Sequence, residues 1–449
     1  MARLSPARKV ALTVVSEQRR RSGRIRELLR SSDGMASLDA RDRSLVSRLA
    51  FGVVAAEGLL DQQLDGYIRR PSSVEPRVRD ALRIAAFEVL YLDTPSSAAV
   101  SQGVELVRSA SPRAAGMANA VLRRLAEEVA PRIKAAQTRC LEGGCELSDL
   151  QLVSGMPSWL LERIAADRGE DAARSMALAQ LEAAPMYVAG NLSRRDVAGT
   201  FALLEERGLL PVGTSLQTAF MLEAPAALAA SGLVDAVDVV VADLAAQKVA
   251  HLVAPQPGQK VLEVGQGRGT KSILLENECL LNGGYAWIAG IDSEAYKARV
   301  SRDRMQRAGL YDWVTSTVLD ARLLADPELP QELDRCFDLV FVDAPCSGTG
   351  TMRRHPEIAW SLDESALSGE GSLPELQLQI LRSSAARVAA GGRLAYATCS
   401  VMKAENEQVI DAFLASPEGV GFKLEAEAFQ SIPARGTCDG HFCAVLSKR

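Results

Sequence analysis

The sequence predicts a multidomain chain: an all-α front, a small α+β connector, and a C-terminal α/β domain on a parallel sheet. Three observations carry this. Through residues 1–140, apolar side chains recur at steps of three and four, the helical period. From residue 237 onward, strand-like apolar runs end in glycine-rich or acidic turns and give way to helical patterns, as in a doubly wound sheet. Within FDLVFVDAPCSGTG (Phe337 to Gly350), the run Asp338 to Val342 is mostly apolar and branched, which suits a strand buried on both faces.

Composition sets outer bounds. A chain of 449 residues suggests roughly three domains. At 47% hydrophobic and 24% charged residues it reads as globular and soluble. No apolar run approaches the ~20 residues of a membrane span, and MARLSPARKVALTVV lacks a cleavable signal pattern. Eight irregularly spaced cysteines do not form a secreted disulfide framework, so a cytoplasmic monomer without a membrane partner is expected. The net charge of −5 excludes uniform coating by nucleic acid but permits local basic patches.

One such patch opens the chain. Arg3, Arg8, Lys9, Arg19, Arg20, Arg21, Arg24, Arg26 and Arg30 face only Glu17 and Glu27, giving either a solvated helix face or a phosphate-contacting surface. Leu45, Leu49, Val53, Ala56, Leu60 and Leu64 then mark one helical stripe, and Val78, Leu82, Ala85 and Val89 another, with Pro71 and Pro76 between. Gly143, Gly144 and Pro157 mark a linker. The connector, residues 146–236, starts helical through Trp159, Leu160, Ile164 and Met176, turns strand-like at MYVAGNLS, and returns to helix near Leu203.

The C-terminal domain, residues 237–449, holds the candidate site. Lys260 to Val264 reads as a strand running into EVGQGRGTKS (Glu263 to Ser272), where Gly265, Gly267 and Gly269 permit a tight turn and close ligand approach. Residues Gly265, Gln266, Gly267, Arg268, Gly269, Thr270 and Lys271 are therefore expected to hold a cofactor, with a helix starting at their end. A glycine loop alone also fits nicotinamide enzymes. The next strand, Trp287 to Ile291, ends at Asp292, placed for two ribose hydroxyls; Trp313 to Leu319 ends at Asp320, placed for an adenine amino group. Two further strands end in sulfur. Asp343 and Cys346 follow the first, and Cys399 in RLAYATCS follows the second, after Gly391-Gly392, which is read as a helix end. A carboxylate and two thiols at one sheet edge suit S-adenosylmethionine and methyl transfer to a base better than hydride transfer.

The motifs resemble known families. ARDRSLVSRLAFGVV, VRDALRIAAFEVLYLD, SSAAVSQGVELV and AGMANAVLRRL are similar to the helical RNA-binding domain of the antitermination factor NusB. DAPCSGTGTMRRHPEIAW with YATCSVMKAENEQVI resembles the Sun or Fmu type of RNA cytosine-C5 methyltransferase, and the likeness covers nearly the whole chain. It implies a Rossmann-like class I methyltransferase domain, S-adenosylmethionine as cofactor, and RNA as partner: small-subunit ribosomal RNA first, transfer RNA as the alternative. It also assigns attack on cytosine C6 to Cys399, product release to Cys346, and steadying of the ring to Asp343, which also borders the cofactor. The chain departs from the family at the glycine loop. Where the family has Cys-Ala-Ala-Pro-Gly-Gly-Lys-Thr after its acid, this chain has GQGRGTKS after Glu263 and Val264, keeping Gly269 and Lys271 in register. Ala189-Gly190-Asn191 likewise stands where the family often has Arg-x-Asn.

Two readings follow: an active enzyme, or an RNA-binding assembly scaffold whose cofactor loop has decayed. Asp292, Asp320, Asp343, Cys346, Lys271 and Cys399 favour the enzyme. Cys140 with Cys145, and Cys438, His441 and Cys443, have gaps found in metal sites but lack a matching set, so no metal is expected. Arg353 and Arg354 beside His355 form either a phosphate contact or a solvated loop, and His251 reads as structural.

Overall fold

A computed structural model describes residues 4–449, so Arg3 of the basic start lies outside the described residues. Contacts divide the chain into two compact units. The first runs to Ala184 and includes Thr351–Leu362 and Ala434–Gly436; the second comprises Pro185–Gly350, Asp363–Pro433 and Thr437–Arg449. The segment expected as a separate connector is therefore shared out. Its first three helices join the first unit, while its strands and the helix Val197–Glu206 join the second, where Val188, Leu204, Phe220 and Val239 form a core of their own.

The first unit is helical, as its periodicity predicts. Asp39 caps the helix Ala40–Ala55 by accepting from Asp42 N at 2.7 Å. The helix Pro76–Tyr91 is its spine, with nearly every residue from Val78 to Leu90 buried. Phe87 lies over Gly52, where a Cβ would overlap the ring. Burying a spine this completely encloses charge as well. Asp80 (0% exposed) and Glu88 (1%) require partners. Arg8 supplies one to Glu88; Ser16 at 2.8 Å and Arg19 at 3.1 Å serve Asp80. Two arginines of the basic start, Arg8 and Arg19, thus pair with buried acids of the fold, while Arg20, Arg24 and Arg30 are exposed. The helices Leu147–Ser154, Ser158–Arg168 and Glu170–Gln180 complete the unit. Trp360 anchors the segment Thr351–Leu362 within it, donating from Nε1 to Ala55 O at 2.9 Å with its ring against Gly58. In the same segment Arg353 is buried and donates to Ala434 O at 2.9 Å, which removes it as a phosphate contact.

The second unit contains twelve strands. β1 (Tyr187–Gly190), β2 (Pro211–Gly213), β3 (Ala219–Leu222) and β4 (Val239–Val241) form a small antiparallel sheet in the order β2-β3-β1-β4. The main sheet follows with β5 (Lys260–Val264), β6 (Trp287–Asp292), β7 (Val314–Val318), β8 (Phe337–Asp343), β9 (Val388–Thr398), β10 (Phe422–Leu424), β11 (Phe429–Gln430) and β12 (Phe442–Lys448). Its order is β10-β12-β9-β8-β5-β6-β7, with β11 on β12. β5 to β9 run parallel, and β12 is antiparallel beside β9. Separate cores cover the two faces: Val249, Ile273 and Met305 on one, Ile380, Leu381 and Phe413 on the other. The order reverses between β5 and β8, and the crevice beyond the carboxyl ends there is where such sheets take ligands.

Two local expectations change. Gly391-Gly392 is no helix end, because the helix Leu373–Ala385 stops earlier and both glycines lie inside β9. There the pairing shifts register between Phe337 and Leu339, and Gly391 takes φ +72° to absorb the extra residues. Asn191 is a structural residue, wholly buried and donating to Val237 O (2.9 Å) and Ala308 O (3.0 Å).

Candidate active site

The five parallel strands deliver their terminal residues to one edge. After β5 the chain turns through Gly265, Gly267 and Gly269, at φ +78°, +61° and +73°, into the helix Thr270–Leu281. Left-handed backbone at all three positions explains why glycine recurs. At Gly265 the fit is also steric, since a Cβ would collide with the carbonyl of Asp343 across the β5–β8 reversal. Asp292, at the end of β6, accepts from Gly267 N (3.0 Å) and Glu294 N (2.9 Å), so its carboxylate is locked to the loop. Lys271 reaches Asp343 at 2.5 Å. Burial opposes the Lys271 ammonium, but Asp343, Cys399 and Glu263 outweigh it and hold its pKa above the ordinary value.

The two sulfurs meet. Cys346 Sγ lies 3.1 Å from Cys399 Sγ and accepts from Cys399 N at 3.3 Å. The hydrogen bond to Cys399, burial, and the negative charge of Cys399 and Glu405 push the Cys346 thiol well above its usual pKa. Lys271, Asp343, Cys346 and Cys399 therefore form one cluster. A cation, a carboxylate and a pair of thiols at the mouth of a parallel sheet can stabilise a thiolate, orient a polar ring and move a proton.

Other expected residues stand differently. Gln266 does not face the crevice. Its side chain is buried over Gly290 and donates to Ser272 Oγ (3.1 Å) and Thr315 O (3.2 Å). Ser272 in turn donates to Glu263 at 2.5 Å, and burial lifts the Glu263 carboxyl to about 8. Arg268 is exposed, and Arg304 ties the loop down by donating to Thr270 Oγ1 at 2.7 Å. Asp320 follows β7 as expected, but Arg322 engages its carboxylate at 2.6 Å. His251 is exposed and meets Glu278 at 3.0 Å. Among the described residues, no group of three or more His, Cys, Asp or Glu side chains is arranged to hold a metal, and no helix is long and apolar enough to cross a membrane.

Sequence reasoning missed the support beneath the thiols. Glu405, Gln377, Ser347 and Ser400 form a buried hydrogen-bonded cluster there. The only sequence signal is the polar run KAENE between an apolar strand and an apolar helix, and it does not reveal which acid turns inward.

Comparison with known proteins fits this arrangement. The family model "16S rRNA methyltransferase RsmB/F" matches residues 250–447, and the NusB family model matches residues 5–127. A ribosomal RNA small subunit methyltransferase B from Xanthomonas campestris pv. campestris is 32% identical over 428 residues, covering 91% of this chain and 90% of the relative. The chain belongs to the RsmB/F family. It is thus a methyltransferase with an N-terminal NusB domain. An Escherichia coli member with the same name is 29% identical over 422 residues, covering 91% of each chain. The crystal structure of PH0851 superposes with a TM-score of 0.76 at 25% identity over the whole of both chains. A methyltransferase homologue from Pyrococcus horikoshii shares the fold, with a TM-score of 0.56 at 20% identity, covering 68% of this chain and 99% of its own.

Proposed function

We propose that this enzyme methylates C5 of a cytosine in small-subunit ribosomal RNA, using S-adenosylmethionine and a covalent adduct on Cys399. The observation that carries the reading is the pair of thiols 3.1 Å apart, beside the Lys271–Asp343 pair, at the edge closed by the glycine loop. The loop from Gly265 to Lys271, with Asp292, suits the cofactor's methionine end and ribose. Its glycines leave the crevice clear, and Asp292 presents a carboxylate already oriented by two backbone N–H groups. Asp320 is assigned the adenine side. When bound, the cofactor supplies an electrophilic methyl group.

The residues do the rest. Cytosine C5 is too weak a nucleophile unaided. The Cys399 thiolate adds to C6, and Asp343, at N3 and the exocyclic amine, steadies the ring as charge develops there. C5 becomes enamine-like and takes the methyl group. The C5 proton then passes to solvent water, its bonding pair forms the C5–C6 double bond, and the C6–S bond breaks, restoring the aromatic ring and freeing the Cys399 sulfur as a thiolate. Cys346, kept as a thiol, serves this release step. A base inside a duplex is out of reach, so the target must be unpaired or flipped.

The test is direct: purified enzyme, S-adenosylmethionine and small-subunit ribosomal RNA, followed by nuclease digestion and mass spectrometry. New 5-methylcytidine in that RNA is expected. Its absence there, with product in transfer RNA alone, would overturn the substrate; absence from both would favour the inactive scaffold.

A further inference from the structure

Glu405 lies on the short turn Lys403–Glu405 after β9 and is wholly buried. Four donors converge on its carboxylate. Ser347 N (2.7 Å) and Gln377 Nε2 (3.0 Å) reach Oε1; Ser347 Oγ and Ser400 Oγ, each at 2.5 Å, reach Oε2. Only an acceptor satisfies that set. Ser347 follows Cys346 and Ser400 follows Cys399, so one side chain ties together the two loops that carry the thiols. Gln377 also donates to Pro345 O at 2.8 Å, gripping the residue on the other side of Cys346. The Tyr396 hydroxyl, donating to Glu405 O at 2.6 Å, fixes the backbone of Glu405 itself.

Resting on the chemistry proposed above, we propose that Glu405 is a positioning residue for methyl transfer: it sets the spacing of the two thiols and places negative charge on the Cys346 side of the pair. Lys271, paired with Asp343 at 2.5 Å, is the cation of the same cluster. Titratable neighbours of the pair are Glu405 and Tyr396 behind it, and Lys271 and Asp343 in front. Cys346 feels the Glu405 charge, which adds to burial in retaining its proton. Two chemically identical thiols thereby become unlike, one disposed to attack and the other to stay protonated until release.

The experiment uses full-length Glu405→Gln, with no RNA or cofactor for its first reading. Each thiol's rate of alkylation by iodoacetamide is followed against pH, resolved by peptide mass spectrometry. The Cys346 profile is expected to move to lower pH by about one unit while Cys399 stays in place. Methylation kcat should fall about a hundredfold, with KM values for RNA and cofactor within twofold, since misplacement of reacting groups acts on the chemical step. Equal shifts of both thiols, or unchanged profiles and kcat, would overturn the proposal. Should Glu405→Gln fail to fold, Ser347→Ala with Ser400→Ala removes two donors and keeps the charge: reduced kcat supports the clamp, and unchanged kcat refutes it. The assignment of attack to Cys399 is tested by its own alanine variant and can stand if Glu405 proves inert.

Discussion

At the scale of single residues, buried carboxylates divide into those with partners and those without. Asp292 has two backbone donors, whereas Glu263 and Glu276 each leave one oxygen unpaired. Burial raises both glutamates from 4.5 to about 8. Folding thus tightens their hold on a proton. The stability they lend is whole below about pH 4.5 and is lost as pH rises through about 8. The melting temperature should therefore fall between about pH 4.5 and pH 8, and Glu263→Gln with Glu276→Gln should flatten that fall; an equally steep decline in the variant would contradict the assignment. For Asp292→Ala, loss of a charged acceptor worth about 1.5–3 kcal/mol should weaken S-adenosylmethionine binding at least tenfold in calorimetric titration, with the fold intact. Unchanged affinity would remove Asp292 from the cofactor site.

Among the elements, the glycine loop shows what a sequence can and cannot disclose. Strands β5, β6 and β8, the helix start at Thr270, and the acids and sulfurs after the strands were all legible, because each is written in a local run of residues. Gln266 read as a cofactor contact yet fills space over Gly290, and Gly391-Gly392 read as a helix end yet forms a bulge. Glu405 and Trp360 were silent. Their partners lie 58 and 305 positions away, at Ser347 and Ala55, and periodicity carries no information at that range. The altered loop nonetheless obeys its own steric logic. Gly265→Ala would force a Cβ into the Asp343 carbonyl at φ +78°, so the variant should lose about 1–3 kcal/mol of stability by urea denaturation, together with cofactor affinity. Wild-type behaviour of this variant would mean that the loop is not held against β8.

Over the whole molecule, the arginines near the start serve two purposes that mutation can separate. Arg8 neutralises Glu88 inside the first unit. Arg8→Ala should cost about 3–5 kcal/mol of stability, since it leaves a buried charge alone. Arg20, Arg24 and Arg30 are exposed, and replacing them with glutamate should lower RNA affinity and flatten its salt dependence while leaving the melting temperature near wild type. If the glutamate variant bound RNA with an unchanged salt slope, the basic start would be a solvated face only. Deleting the first unit would be a poor substitute, because it removes the seat of Trp360, whose segment follows the Cys346 loop in sequence. The central claim is that the enzyme works through a covalent adduct on Cys399, released with the help of Cys346. Denaturing gel electrophoresis of each alanine variant, incubated with S-adenosylmethionine and substrate RNA, tests it most directly. Cys346→Ala should accumulate a protein–RNA species that survives denaturation, and Cys399→Ala should form none; trapping by Cys399→Ala but not by Cys346→Ala would contradict the assignment.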